Sequence, residues 1–141
     1  MVTAIIFILL LSLILSSTLG LSTSTTRVTT NKYIYEQARI LAKSATEYAI
    51  LAIQSHNMSG GCLQKINMKY PNTSSYLFDI NITLHYFGRG LPCNNSELLA
   101  NDVNWPESNA SVLIDTKVSL NPALIQNSNP ITYTKRTIQK L

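Results

Sequence analysis

From Met1 to Leu15 the chain is almost entirely apolar, and no charged residue appears before Arg27. No other feature constrains the possible folds as much. The run weakens but continues to Leu21. About 21 uncharged residues, rising 1.5 Å each as a helix, just span a bilayer. The run is too apolar all round to be a surface helix. Its flanks conflict with that placement: no Lys or Arg precedes it, whereas Arg27 and Lys32 follow it. Read literally, this distribution puts the rest of the chain in the cytoplasm. The polar, Asn-rich remainder and its cysteine pair point to an exported domain instead. The conflict disappears if a short basic leader was cut off ahead of Met1 and the apolar segment retained. The competing expectation is an ordinary secretory signal cleaved near Gly20.

Residues 16–30 are crowded with Ser and Thr around Gly20. Their hydroxyls compete for backbone hydrogen bonds, so this stretch is open to helical, frayed or extended forms. Residues 31–56 are a predicted helix. Tyr35, Ala38, Ala42, Ala45, Ala49 and Ala52 recur at steps of three and four, and Ile34, Leu41, Tyr48 and Ile53 widen that face. Glu36 with Arg39, and Lys43 with Glu47, stand at spacings that allow ion pairs. Gly60 and Gly61 stop the helix.

Beyond Gly61 the pattern changes to period two. Tyr76, Phe78, Ile80, Ile82, Leu84 and Tyr86 alternate with more polar neighbours, which predicts a long strand. Val112 to Leu120 predicts a second and Ile131 to Ile138 a third, the latter carrying Tyr133 and the basic pair Lys135 and Arg136. Gln64 to Tyr70 reads as a short edge strand. Gly88 to Gly90, Pro92, Pro106, Pro122 and Pro130 mark loops. No crossover helices are evident, so the sheet is expected to be antiparallel. The expected fold class is α+β: a long N-terminal helix packed on a small antiparallel sheet. The expected divisions are residues 1–26 as an apolar membrane or assembly segment, 27–61 as the amphipathic half of the helix, and 62–141 as the sheet domain.

Only 13% of residues are charged and the net charge is +4. No run reaches the five or six like charges of a nucleic-acid-binding tail, so no specific nucleic acid is expected as a partner. Cys62 and Cys93 are the two cysteines. An isolated pair in an exported domain predicts one disulfide, closing a loop of about 30 residues and contributing on the order of 3 kcal/mol. Two free thiols would go with a cytosolic chain. His56 at a helix end and His85 outward on a strand read as surface residues. No Cys/His cluster has zinc spacing, and no nucleophile elbow, phosphate-binding loop or paired-carboxylate pattern occurs. No catalytic, cofactor-binding or metal-ligating residue is assigned, no cofactor is expected, and an enzyme is not the expected class. Trp105 beside Pro106 reads as a plug under a loop. Five Asn-x-Ser/Thr triplets occur, mostly by chance in so Asn-, Ser- and Thr-rich a chain. Asn109 and Asn81 are the candidate glycosylation acceptors, because each also has an acid two residues earlier.

This order of elements resembles a type IV pilin or type II secretion pseudopilin. Met1, Val2, Thr3, Ala4, Ile5 and Ile6 look like the mature start of such a subunit, and the architecture matches along the whole chain. The resemblance implies a structural filament subunit with its N-terminus exposed by prepilin peptidase and commonly methylated. It would sit in the inner membrane of a bacterium before assembly and in a cell-surface or periplasmic filament afterwards. Its implied partners are other pilin subunits and the assembly machinery. Its implied processing and assembly residues are Met1, Thr3, Ala4, Ile5, Phe7 and Leu11. Major subunits of the family usually carry a glutamate where Ile5 stands, and the first acid here is Glu36. In the family that absence occurs in some minor, tip-located subunits. In the other arrangement Met1 reaches water or the Ser16–Thr18 hydroxyls. The rival function is a secreted or signal-anchored extracytoplasmic binding module that forms no filament.

Overall fold

The computed structural model describes residues 2–93, 98–100, 110–124 and 130–141; the side chains of Leu19, Leu21, Thr23, Ser59 and Leu124 lie outside the description. The elements are α1 (Val2–Ser55), β1 (Lys65–Pro71), β2 (Tyr76–Gly88), β3 (Leu98–Ala100), β4 (Ala110–Leu120) and β5 (Thr132–Lys140), with short 3-10 turns at Met58–Gly60 and Pro122–Leu124. The chain divides into two units, residues 1–34 and 35–141.

The first unit is helical. Several of its Ser and Thr residues fold their hydroxyls back onto the helix's own carbonyls. Ser12 donates to Leu9 O, Thr18 to Leu15 O, Thr26 to Ser22 O, Thr29 to Thr25 O and Thr30 to Thr26 O, all at 2.8–2.9 Å. Their competition with the backbone is thereby spent inside the helix.

The second unit is α+β. Its sheet runs in the order β1-β2-β4-β5, and every neighbouring pair on that path is antiparallel. The long strands arise where the sequence alternates, because each second side chain falls on one face. Phe78, Ile80, Ile82, Leu84 and Tyr86 of β2 share a buried face with Val112, Ile114, Thr116, Val118 and Leu120 of β4. Against that face α1 sets Ala38, Ala42, Ala45, Thr46, Ala49 and Ile53, all buried. Small helix residues opposite large strand residues let the two layers approach closely.

Thr46 joins the layers. Its hydroxyl donates to Ala42 O at 2.7 Å and lies 3.2 Å from the Thr116 hydroxyl. With Thr46 donating along the helix, Thr116 is the donor between them. The sequence reading missed Thr46 and counted Tyr48 in its place, yet Tyr48 is 52% exposed. Thr46 stands four residues after Ala42 and stays on its face, whereas Tyr48 is turned about 100° from Ala49.

The helix ends at Ser55, before the glycines that were expected to stop it. A single 3-10 turn follows, and Gly61 then takes φ 118°, a backbone angle that side chains other than glycine's disfavour. Cys62 is bonded to Cys93, joining the segment after α1 to the segment after β2. Nearby, the buried Tyr86 hydroxyl donates to Leu63 O at 2.9 Å.

One strand corrects the expectation of a purely antiparallel sheet. β3 pairs with β2 in parallel, Leu98 beside Tyr86 and Ala100 beside Phe87. A full parallel strand needs a long crossover. A three-residue strand requires the chain to step back only a short way. β1 and β3 together cover one side of β2, β1 along its first part and β3 at its end.

Candidate assembly and docking surfaces

The residues expected to act in assembly lie on α1. Thr3, Ala4, Ile5, Phe7 and Leu11 are all exposed, with Ile5 at 59% and Phe7 at 69%. They belong to an unbroken exposed stretch from Val2 to Thr18 that contains no charged residue. Burying one large apolar side chain is worth roughly 1.5–3 kcal/mol, so this stretch holds a large unused driving force for association. Met1 lies outside the described residues. Among those residues no helix is long and apolar enough to cross a membrane; the side chains of Leu19 and Leu21, which extend the run in sequence, are not among them.

The second surface is a groove of about 400 Å³ between α1 and β5, within the second unit. Glu36, Arg39, Ile40 and Lys43 line it from the helix, and Tyr133 and Lys135 from the strand. Alternation along β5 puts Tyr133 and Lys135 on the helix side of the sheet, level with Val118 and Thr116 of β4. Tyr133 is fixed by an edge-to-face contact with Tyr35, with ring centroids 5.6 Å apart. Arg39 meets Glu36 at 3.4 Å. Among the described residues no ion pair joins Lys43 to Glu47, although their spacing allows one. A Lys preceding its Glu by four is the weaker orientation, and both side chains are hydrated. Lys43 and Lys135 therefore line the groove with no ion pair to a carboxylate among the described residues.

The basic pair Lys135 and Arg136 is split across the sheet. Arg136 points to the open face and holds its cross-strand neighbour Asp115 through two hydrogen bonds, Nε to Oδ1 at 2.6 Å and a terminal nitrogen to Oδ2 at 2.7 Å. This fork lowers the Asp115 carboxyl below the ordinary aspartate value. Partial burial opposes the shift, and the charges of Arg136 and His85 reinforce it. The same bonds raise the Arg136 guanidinium further.

Asn81 stands mid-strand in β2 on the open face, half-buried between Asn67 of β1 and Lys117 of β4. Asn109 and Trp105 lie outside the described residues. Among the described residues no group of three or more His, Cys, Asp or Glu could hold a metal ion. Sequence reasoning missed the groove because its two walls lie some ninety residues apart. The signal that could have found it is Lys135, a charge set at the parity of the buried face.

Comparison of the chain with protein-family models, with curated proteins and with solved structures finds no match.

Proposed function

We propose that this chain is a structural subunit of a type IV pilus-like or pseudopilus filament, held in a membrane through its N-terminal helix until it assembles through that helix. One observation carries the reading: an uncharged stretch of large, exposed apolar residues from Val2 to Leu15, on a chain whose second unit already has its own core. A folded unit does not need that stretch for its stability. Helices of this kind bundle by covering one another's apolar sides while keeping their backbone hydrogen bonds internal. The Cys62–Cys93 disulfide suits an extracytoplasmic location. The α+β order, one helix followed by an antiparallel sheet, is also the order the filament reading requires.

The test is made on native material from the producing cell. Filaments sheared from the surface are identified by mass spectrometry, and the N-terminus of the native chain is sequenced. The expected result is this chain in the filament fraction with its apolar segment retained. Leu11→Asp should keep the chain in the cell and out of that fraction, because a charge at an exposed apolar position blocks bundling. A native chain that begins at Leu21 or later, recovered from the medium as a free protein, would overturn the reading and favour a secreted binding module.

A further inference from the structure

We infer that the outer edge of β5 docks an extended segment of a partner protein, one that carries carboxylates at alternate positions and adds to the sheet as a further antiparallel strand. The inference concerns the second unit alone and stands whether or not the chain forms filaments.

The first argument is the backbone. β5 ends the path of the sheet, and among the described residues its only strand neighbour is β4. That pairing keeps one register from Thr132 to Lys140. The groups it uses follow from the bonds just beyond the two ends: Leu120 N–H donates to Ile131 O, and Leu141 N–H donates to Ala110 O. Bonded residues alternate along an antiparallel ladder. Tyr133, Lys135, Thr137 and Gln139 therefore direct their N–H and C=O groups to β4. Thr132, Thr134, Arg136 and Ile138 direct theirs to the outer edge, where no described strand meets them. A regular row of unused donors and acceptors is a template for one more strand.

The second argument is charge. β5 carries Lys135, Arg136 and Lys140 and no acid. A second copy of β5 laid on this edge would bring like charges together, which is how edge strands are protected against self-pairing. An acidic strand meets no such barrier. Its side chains opposite Tyr133 and Lys135 would fall on the helix side of the sheet, where the groove opens. There Lys43 and Lys135 have no ion pair to a carboxylate among the described residues, and Arg39 adds a third cation against the one acid, Glu36. Cross-strand neighbours hold their Cβ atoms about 5 Å apart, so a carboxylate opposite Lys135 meets it directly. The open face asks for something else. Arg136 is already held by Asp115, and Ile138 is 64% exposed. The intervening side chains of the partner are therefore uncharged, with an apolar one opposite Ile138. The pleat sets the pattern: carboxylates toward the groove, neutral residues toward the open face.

The experiment uses the full chain in detergent, labelled with nitrogen-15, and three synthetic peptides. The first alternates Glu with Val and Thr. The second has the same composition with its glutamates adjacent. The third is the first peptide with N-methyl groups on its Val and Thr amides, those that would face β5. The first should bind and slow hydrogen exchange at the Thr134, Arg136 and Ile138 amides. The second should bind about tenfold more weakly, and the third should leave exchange at those amides unchanged. Lys43→Glu with Lys135→Glu should weaken the first peptide about tenfold, and a peptide with Lys in place of Glu should regain the loss on that variant. Thr134→Pro removes one outward N–H but none of the bonds to β4, and it should weaken binding as well. Equal binding of all three peptides would reduce the effect to ionic attraction and overturn the inference. So would failure of the first peptide to bind. Exchange at the same amides that slows with the concentration of the chain alone would assign the edge to a second copy and overturn it too.

Discussion

Residues 2–34 and 35–55 share one helical hydrogen-bond ladder but use their apolar residues in opposite ways. In the first stretch Ile, Leu and Phe stand exposed, Leu11 at 50% and Phe7 at 69%. In the second, the residues against the sheet are alanines, with Ala38, Ala42 and Ala49 fully buried. An alanine face contributes little hydrophobic energy per residue but lets a sheet of Phe, Ile, Leu and Tyr approach closely. A face of large residues is wasted unless something outside the unit covers it. Where alanine lines the helix, the partner is in the same chain. Under the filament reading, where Leu and Ile line it, the partner is another copy.

Charging each face in turn gives the largest effect and tests that contrast directly. Ala45→Glu sets a carboxylate at a position 3% exposed, on a face where no described Lys or Arg is buried. It should destabilise the second unit by more than about 3 kcal/mol. Leu11→Asp should leave the unfolding midpoint of that unit unchanged. Urea unfolding of the full chain in detergent, followed by tyrosine fluorescence, measures both. Equal midpoints for Ala45→Glu and the unaltered chain would refute the assignment of the alanine face to the core.

Next in size is the Cys62–Cys93 link, 31 residues apart in sequence. Replacing both cysteines by Ala should cost about 3 kcal/mol, chiefly by freeing the unfolded chain. The loss should appear in the second unit alone, since both cysteines belong to it. Assembly through the N-terminal helix should persist wherever the second unit remains folded. Unchanged stability of the double variant in urea would show that the loop is already held by Tyr86 and β3.

A smaller effect separates packing from hydrogen bonding inside the core. Thr46→Val removes the acceptor of the buried Thr116 hydroxyl and should cost about 1–3 kcal/mol. Thr116→Val should cost less, because Thr46 still donates to Ala42 O. With both replaced, the loss should be smaller than the sum, because no hydroxyl is left stranded. Strict additivity in a double-mutant cycle would mean the two hydroxyls do not interact.

Much of the second unit was legible in the sequence because its strands alternate cleanly. β2, β4 and β5 fall where the period-two pattern lies, β1 overlaps the short edge strand expected at Gln64 to Tyr70, and the disulfide pairs the two cysteines available. β3 was not legible: Leu98, Leu99 and Ala100 are too few to show a period, and tertiary pairing with β2 decides them. Thr46 was passed over because a hydroxyl in an alanine stripe looks like a surface residue until Thr116 is placed opposite it. The groove was hidden for a different reason. Lys135 and Arg136 read as one basic pair, and only the strand's pleat sends them to opposite faces, one to the groove and the other to Asp115. The exposed apolar stretch was the plainest signal of all, since it needs no partner within the chain to be seen.

The smallest expected effect concerns that second destination. Asp115 is held by Arg136 on the open face, where both groups keep contact with water, at 21% and 69% exposure. The fork lowers the Asp115 carboxyl from its ordinary value of 3.8, so the folded state binds this proton less readily than the unfolded one. A lowered folded-state value contributes stability that is present above the ordinary value and is lost as pH falls through the lower, folded one. The unaltered chain should therefore melt slightly above an Asp115→Asn variant near neutral pH. The gap should close as pH drops below about 4. Salt should narrow the same gap at neutral pH, because screening reaches an exposed pair. Melting curves that stay parallel from pH 7 to pH 2 would mean the fork orients β5 against β4 without adding to stability. The contrast with Ala45→Glu would then be complete, the core carrying the stability of the second unit and the open face leaving it untouched.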